Sequence, residues 1–215
     1  MKMRSTEPER LDTENPPREM MARVAGYLAF VNRRLGGTRA VASHLGRVRG
    51  PASVLDVGCG AGDMALDLAR RFPNLRVTGF DLSETMLSFA PGLPRVRGDV
   101  HRLPFRDRSV DYVISSHFFH HLSDDGIERT LQEFDRIARR GIVVNDLLRR
   151  RRAVLWIRLF TLWANAYVKA DGPLSVKRGF TVQEIEALTR RAGLPWLKVR
   201  VHFGHRFTLA GERPA

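Results

Sequence analysis

Residues 54–63 read VLDVGCGAGD. A hydrophobic run ends in Gly58, Gly60 and Gly62, and a helical pattern begins at once. Glycines there let the backbone turn tightly and approach a ligand closely. A dinucleotide fold would want G-x-G-x-x-G, to set a pyrophosphate on the helix N-terminus. Here the spacing is G-x-G-x-G, and the next position of that pattern is Asp63. A phosphate beside Asp63 would be repelled, so a nicotinamide or flavin dinucleotide fits poorly. Asp56, inside the end of the run, suits a ligand with an ammonium group. Asp81 ends the next run, VTGFD, 19 residues after Gly62. A carboxylate there can accept both hydroxyls of a ribose. Asp99, in RGDVHRLPF, is placed to accept from an adenine amino group.

A ligand with an amine, a ribose and an adenine but no phosphate is S-adenosylmethionine. Methyl transfer from its sulfonium is a direct displacement, so a protein mostly holds nucleophile, carbon and sulfur in line. A phenol or acidic carbon can add the need for a general base. Three histidines sit in SSHFFHHLSDD, just past the fourth strand pattern. His117 is the first candidate for a substrate-facing base or orienter, with pocket lining as its alternative. His120 is the second catalytic candidate, and His121 is assigned to packing. Asn145 and Asp146 end the fifth strand in VVND, where they touch substrate or merely cap the exit loop. Cys59, the single cysteine, packs in the glycine loop rather than reacts. No spacing of His, Cys or carboxylate suggests a metal site.

These residues need elements to hold them. SVLDVG, RVTGFD, RVRGD, VDYVISS and GIVVND read as strands, and AGDMALDLARRF, SETMLSFA and DDGIERTLQEFDRIARR read as helices. That alternation implies an α/β fold, a mostly parallel sheet covered on both faces. Upstream, Met20, Val24, Tyr27, Leu28, Val31 and Leu35 form one helical stripe, and a second short helix follows with Thr38 as its N-cap. Ser83 and Thr181 read as N-caps of later helices. LKVRVHF and RFTLAG read as closing strands. The expected organisation is a flexible arm over 1–17 and a single domain over 18–215. That domain divides into N-terminal helices (18–50), a cofactor-binding core (52–146) and a lid (149–178).

The motifs taken together resemble the class I S-adenosylmethionine-dependent methyltransferases. VLDVGCGAGD, VTGFDLSETML, GDVHRLPF and VDYVISSHFFHHL are similar to that family's successive motifs, in order and spacing, over 52–146. The resemblance implies a Rossmann-like seven-stranded sheet and S-adenosylmethionine as cofactor. It implies that Gly58, Gly60 and Gly62 line the methionine and ribose, that Asp81 holds the ribose, and that Asp99 and Val100 flank the adenine. Cys59, Leu82, Met86 and Ser116 complete the implied cofactor shell. The flanks VNRRLGGTRAV and DGPLSVKRGFT are similar to a bacterial subgroup near the ubiquinone and menaquinone methyltransferases and enzymes of polyketide-derived phenols. Fold-level analogy of this kind fixes no substrate.

The stretch RRRRAVLWIRLFTLWANAYV, 149–168, falls on the substrate side of such a fold. From 153 to 168 its polar residues are Arg158, Thr161 and Asn165, along one stripe. A helix so apolar is buried or sits in an apolar medium. Sixteen residues with an internal arginine are too short to span a bilayer comfortably. The expected role is a lid whose Trp156, Phe160 and Trp163 cover the acceptor, with Asp171-Gly172-Pro173 as a turn and Arg149–Arg152 at the mouth. Weak contact with a membrane surface is the alternative carried by the tryptophans and arginines. A nucleic-acid arm is disfavoured because the stretch is too apolar to track phosphates.

The 215-residue chain carries a net charge of +13, of which 16 basic and 5 acidic residues lie from Arg139 onward. Such a lopsided field attracts anions without naming them. The polar N-terminus lacks a signal-peptide core, so a cytoplasmic setting is expected. The leading expectation is O-methylation of a phenolic or polyketide-derived acceptor in secondary metabolism. The alternatives are C-methylation in quinone biosynthesis, an RNA methyltransferase, and a partner subunit without catalysis. Against RNA stands the lack of an N-P-P-Y-type tetrapeptide after the fourth strand. The oligomeric state is left open.

Overall fold

The computed structural model describes residues 3–214. Among these, seven strands form one sheet: β1 (Ala52–Val57), β2 (Leu75–Asp81), β3 (Arg95–Arg97), β4 (Val110–Ser116), β5 (Ala138–Leu147), β6 (Lys198–His202) and β7 (Arg206–Glu212). The order is β3-β2-β1-β4-β5-β7-β6. β3, β2, β1, β4 and β5 run parallel, and β7 enters antiparallel between β5 and β6. Val54 pairs with Val77 on one side and Tyr112 on the other, so β1 is buried on both flanks. Four of its six residues are apolar, as suits a strand covered on both faces. The sheet is the Rossmann-like one the resemblance implied.

Helices cover both faces. α2 (Arg18–Arg34), α3 (Gly37–Leu45) and α4 (Asp63–Arg71) lie toward one side, where Val41, Leu45, Leu68, Val77 and Ile114 share a core. α6 (Asp124–Ile137) and α9 (Val182–Arg191) cover the other, around Phe119, Phe134, Ile142, Phe180 and Phe207. α6 buries Ile127, Thr130, Leu131, Phe134 and Ile137, one stripe at helical spacing. Ser123 caps its start, and Thr181 with Glu184 forms a full capping box on α9. α5 (Glu84–Leu87) is one turn, capped by Ser83. α7 (Arg151–Phe160) and α8 (Ala166–Arg178) form the insertion after β5.

Four local expectations are corrected. The N-cap of α3 is Gly36, at φ +87°, and Thr38 is buried within the first turn. The segment 149–178 divides into α7 and α8, with the break at 161–165. Asp171-Gly172-Pro173 lies inside α8 instead of forming a turn. Tertiary contacts override local propensity there. A Cβ on Gly172 would lie 3.2 Å from Ile157 of α7, and the Asp171 carboxylate accepts from the backbone N–H groups of Arg10 and Leu11. Finally, residues 4–14 lie on the domain. α1 (Arg10–Thr13) packs against α8, Ser5 N–H donates to the carbonyl of Lys177, and Glu9 is buried.

Candidate active site

The direction of strand addition reverses between β1 and β4, so their C-terminal ends open a crevice. The glycine loop leaves β1 into it. Gly58, Gly60 and Gly62 have φ of +70°, +53° and +69°, a region that disfavours side chains. A Cβ on Gly58 would meet the Phe118 ring at 2.6 Å, and one on Gly62 would meet Leu93 at 2.8 Å. Gly60 leaves more room, with Met86 at 3.4 Å.

Asp81 stands at the end of β2 beside this cradle. Its Oδ2 accepts from Gly60 N–H at 2.7 Å and its Oδ1 from Ser83 N–H at 2.8 Å. Each oxygen keeps a further lone pair for a diol. Asp56 is buried, and burial with the nearby charges of Asp63 and Asp81 holds its pKa well above the ordinary carboxylate value. Burial also raises the pKa of Asp63, against a hydrogen bond from Asn32 at 3.2 Å. Three acids crowd one loop, which a cation would relieve and a phosphate would worsen. Burial, with Asp56 and Asp81, pushes the Cys59 thiol far up, and its sulfur fills the space over Gly79. Leu82 stays exposed next to Asp81, Asp99 caps a 3-10 turn by accepting from His101 N–H at 2.9 Å, and Val100 is buried. The cradle fits S-adenosylmethionine: glycines for close approach, acids for ammonium and diol, and no basic phosphate clamp.

A cavity of about 600 Å³ opens beyond the end of β4, where His117 lines it. Its walls are mostly apolar: Val24, Leu28 and Val31 of α2, Trp156, Ile157 and Phe160 of α7, and Val168 and Val176 of α8. Glu9, His117, His120, His121 and Arg206 line it as polar groups. His117 follows β4 at φ +56°, strained for a residue with a side chain. Its Nε2 is buried without a hydrogen-bond partner among the described residues. Burial and the nearby Arg206 hold its pKa well below the ordinary value, so the ring is neutral at pH 7. His120 Nδ1 donates to Asp146 at 2.7 Å, and His120 N–H donates to the other oxygen of that carboxylate. Burial alone would raise Asp146, but the charge and hydrogen bond of His120 outweigh it and hold the carboxylate far below its usual range. His121 Nδ1 donates to Asp12 at 3.0 Å.

The structure therefore gathers Asp56, the glycines, Asp81 and Met86 at one end, and His117, His120, Trp156 and Phe160 around the cavity. Other candidates stand apart. Trp163 is 96% exposed in the turn after α7 and does not line the cavity. Asn145 is buried in β5 and donates to the Ser116 hydroxyl at 2.7 Å. Asp146 is also fully buried, spent on His120 and Leu147 N–H. Of the arginine run, Arg149 is buried against Glu184, and Arg150 reaches the cavity. Sequence reasoning missed Glu9, Asp12, Asn32 and Arg206. Only Arg206 left a local signal, a charge opening an apolar strand. It is 2% exposed, its Nη1 lacks a hydrogen-bond partner among the described residues, and burial pulls its pKa down to about 10.

Residues 54–141 match the methyltransferase domain family, and fold and cradle are similar to those of class I S-adenosylmethionine-dependent methyltransferases. A demethylmenaquinone methyltransferase of Thermotoga maritima is 38% identical over 104 residues, 46% of this chain and 44% of that protein. A malonyl-[acyl-carrier protein] O-methyltransferase of Methylococcus capsulatus is 33% identical over 130 residues, 56% of this chain and 46% of that protein. The chain spans about half the length of the curated relatives it matches. The crystal structure of a SAM-dependent methyltransferase from Aquifex aeolicus superposes with a TM-score of 0.65 at 18% identity, over 92% of this chain and 99% of that one.

Proposed function

We propose that the chain transfers the methyl group of S-adenosylmethionine to an oxygen of a small aromatic or lipophilic acceptor of phenolic or polyketide-derived type. The observation that carries this reading is the mostly apolar cavity of about 600 Å³, which neighbouring residues tie to the glycine loop: His117 and Val31 line it, while Phe118 packs on Gly58 and Asn32 binds Asp63. Burying apolar acceptor surface there contributes roughly 25 cal/mol per Å². The bound cofactor would supply the methyl group and a sulfonium leaving group. Asp81 holds the ribose, and Asp56 and Asp63 face the ammonium. Arg206, buried with an unpartnered nitrogen, receives a carboxylate. Neutral His117 accepts a hydrogen bond from the acceptor hydroxyl. Its depressed basicity makes it an orienter of that hydroxyl more than a carrier of its proton. α7 closes the cavity and excludes water.

C-methylation of a quinone precursor is the second reading, favoured by the several relatives named demethylmenaquinone methyltransferases. Incubation with labelled cofactor and a panel of phenols, quinols, fatty acids and RNA separates the readings. Label on a phenolic oxygen, located by NMR of the product, is expected. Label on ring carbon moves the assignment to the second reading, and label on RNA alone overturns both.

A further inference from the structure

We propose that Glu9, His120 and His121 bind one divalent transition-metal ion at the wall of the acceptor cavity. The three side chains come from an N-terminal segment and from the turn after β4, and their ligand atoms all lie within 4.8 Å of one another. His120 Nε2 is 3.6 Å from one Glu9 oxygen, and His121 Nε2 is 3.9 Å from the other. Ligands about 2.0–2.1 Å from a tetrahedral ion stand roughly 3.3 Å apart, so a small contraction closes the site. Glu9 and His120 are 4% and 2% exposed, so the pocket is built rather than incidental.

The surroundings hold the ligands in a metal-binding state. A metal-ligating imidazole usually donates its other ring N–H to a carboxylate, which fixes tautomer and orientation. Both histidines do so: His120 Nδ1 to Asp146 at 2.7 Å and His121 Nδ1 to Asp12 at 3.0 Å. Both Nε2 atoms are thereby turned toward Glu9. The Ser175 hydroxyl donates to Glu9 Oε1 at 2.7 Å and fixes the carboxylate rotamer. Arg178 spends its hydrogen bonds on the carbonyls of Glu7, His120 and His121, leaving the carboxylates to the imidazoles. Two nitrogens and one carboxylate suit zinc, iron or manganese, and fit magnesium or calcium poorly.

Three protein ligands leave coordination positions open, and all three residues line the cavity. An acceptor oxygen can occupy such a position, where the ion polarises its O–H bond. The ion would lower the pKa of that hydroxyl so that its proton leaves to solvent. Neutral His117 orients the oxygen that forms the new O–C bond as the methyl C–S bond breaks and its electron pair stays on sulfur. This role rests on the acceptor reading above, whereas binding of the ion does not. It narrows the acceptor class to one with a metal-binding oxygen, such as a phenol beside a carbonyl or second hydroxyl.

The test uses the full chain, stripped by chelator and titrated with zinc, cobalt or magnesium. One equivalent of zinc is expected, with little magnesium bound. Cobalt should give a visible d–d spectrum of an N,N,O site. Glu9→Gln keeps the shape of the side chain and should weaken zinc binding by about 100-fold or more. Asp12→Asn should weaken it by about 10-fold through His121. Affinity for S-adenosylhomocysteine should stay level in every variant, which also reports that each one folds. Zinc binding below one equivalent, or undiminished in Glu9→Gln, overturns the proposal and points to a metal-free imidazole–carboxylate network. Full zinc binding without label on any phenol or quinol would instead sink the acceptor reading and leave the ion.

Discussion

Asp81 is bound to Gly60 and Ser83 through both oxygens before any ligand arrives, so its orientation is set in advance. A preorganised carboxylate accepting two hydroxyls contributes charge-assisted hydrogen bonds of about 1.5–3 kcal/mol each. Asp81→Ala should therefore weaken S-adenosylhomocysteine binding at least 10-fold in calorimetry, and unchanged affinity would remove it from the site. Asp56 carries a pH signature. Its folded-state pKa lies above the unfolded value near 4, chiefly through burial. Its contribution is thus fully present below about pH 4 and is lost as pH rises toward the raised folded value. Asp56→Asn should melt higher than the parent at pH 8 without cofactor, with the difference vanishing near pH 4. The same variant should bind cofactor more weakly, because an amide cannot pair with an ammonium. Parallel melting curves at both pH values would show that Asp56 does not carry this cost. These residues were legible because each lies within a few positions of a strand end in a recognisable spacing. Glu9 and Asp12 were not, since long-range packing alone brings their polar segment to the histidines, and Arg206 left only its charge at the start of an apolar strand.

The strands and capped helices of the core follow local rules, so Ser83 and Thr181 marked their helices from sequence. The insertion after β5 obeys longer-range contacts, and there the reading failed in detail. Gly172 and Asp171 serve neighbouring helices, which keeps a turn-like tripeptide helical. α7 buries only Ala153 and packs chiefly on α8. Elements with so little buried surface open at low free energy. Trp156 and Phe160, whose rings lie 6.1 Å apart, face the cavity, while Trp163 stands outside it. Trp156→Ala and Phe160→Ala should each raise the acceptor KM about 10-fold with cofactor affinity intact, as loss of roughly 1.4 kcal/mol of burial would give. Trp163→Ala should leave KM unchanged; an equal rise in all three would mean that the turn folds over the acceptor. Limited proteolysis should cut first at 161–165, and acceptor with S-adenosylhomocysteine should slow the cut. Cleavage at one rate with and without ligands would count against closure.

At the scale of the molecule, the excess of positive charge after Arg139 is not all available to a partner. Arg149, Arg178 and Arg206 are buried inside the domain, where Arg149 pairs with Glu184 and Arg178 binds carbonyls. Of what remains outside, one group lies at α7. Arg150, Arg151, Arg152 and Arg158 are exposed there, interleaved with Leu155, Trp156, Leu159, Leu162 and Trp163, each more than half exposed. Composition made the net charge legible, but only the fold shows which arginines stay in water. No helix among the described residues is long and apolar enough to cross a membrane. Basic residues flanking leucine and tryptophan on an amphipathic helix instead suit the headgroup layer of an anionic bilayer. A lid of this kind would give a lipophilic acceptor a route from the bilayer into the cavity, since Arg150, Trp156 and Phe160 line both the cavity and the exposed face. The chain should therefore sediment with vesicles containing anionic phospholipid at low ionic strength. Each basic residue at the surface adds about 1 kcal/mol, so neutral vesicles should retain far less protein. Raising salt to about 1 M shortens the screening length to roughly 3 Å and should release it. Replacing Arg150, Arg151 and Arg152 together by Gln should abolish the anionic preference, and Trp163→Ala should weaken binding to both vesicle types. Affinity for S-adenosylhomocysteine should stay level in both variants. Equal retention on neutral and anionic vesicles, or none on either, would confine α7 to covering the acceptor.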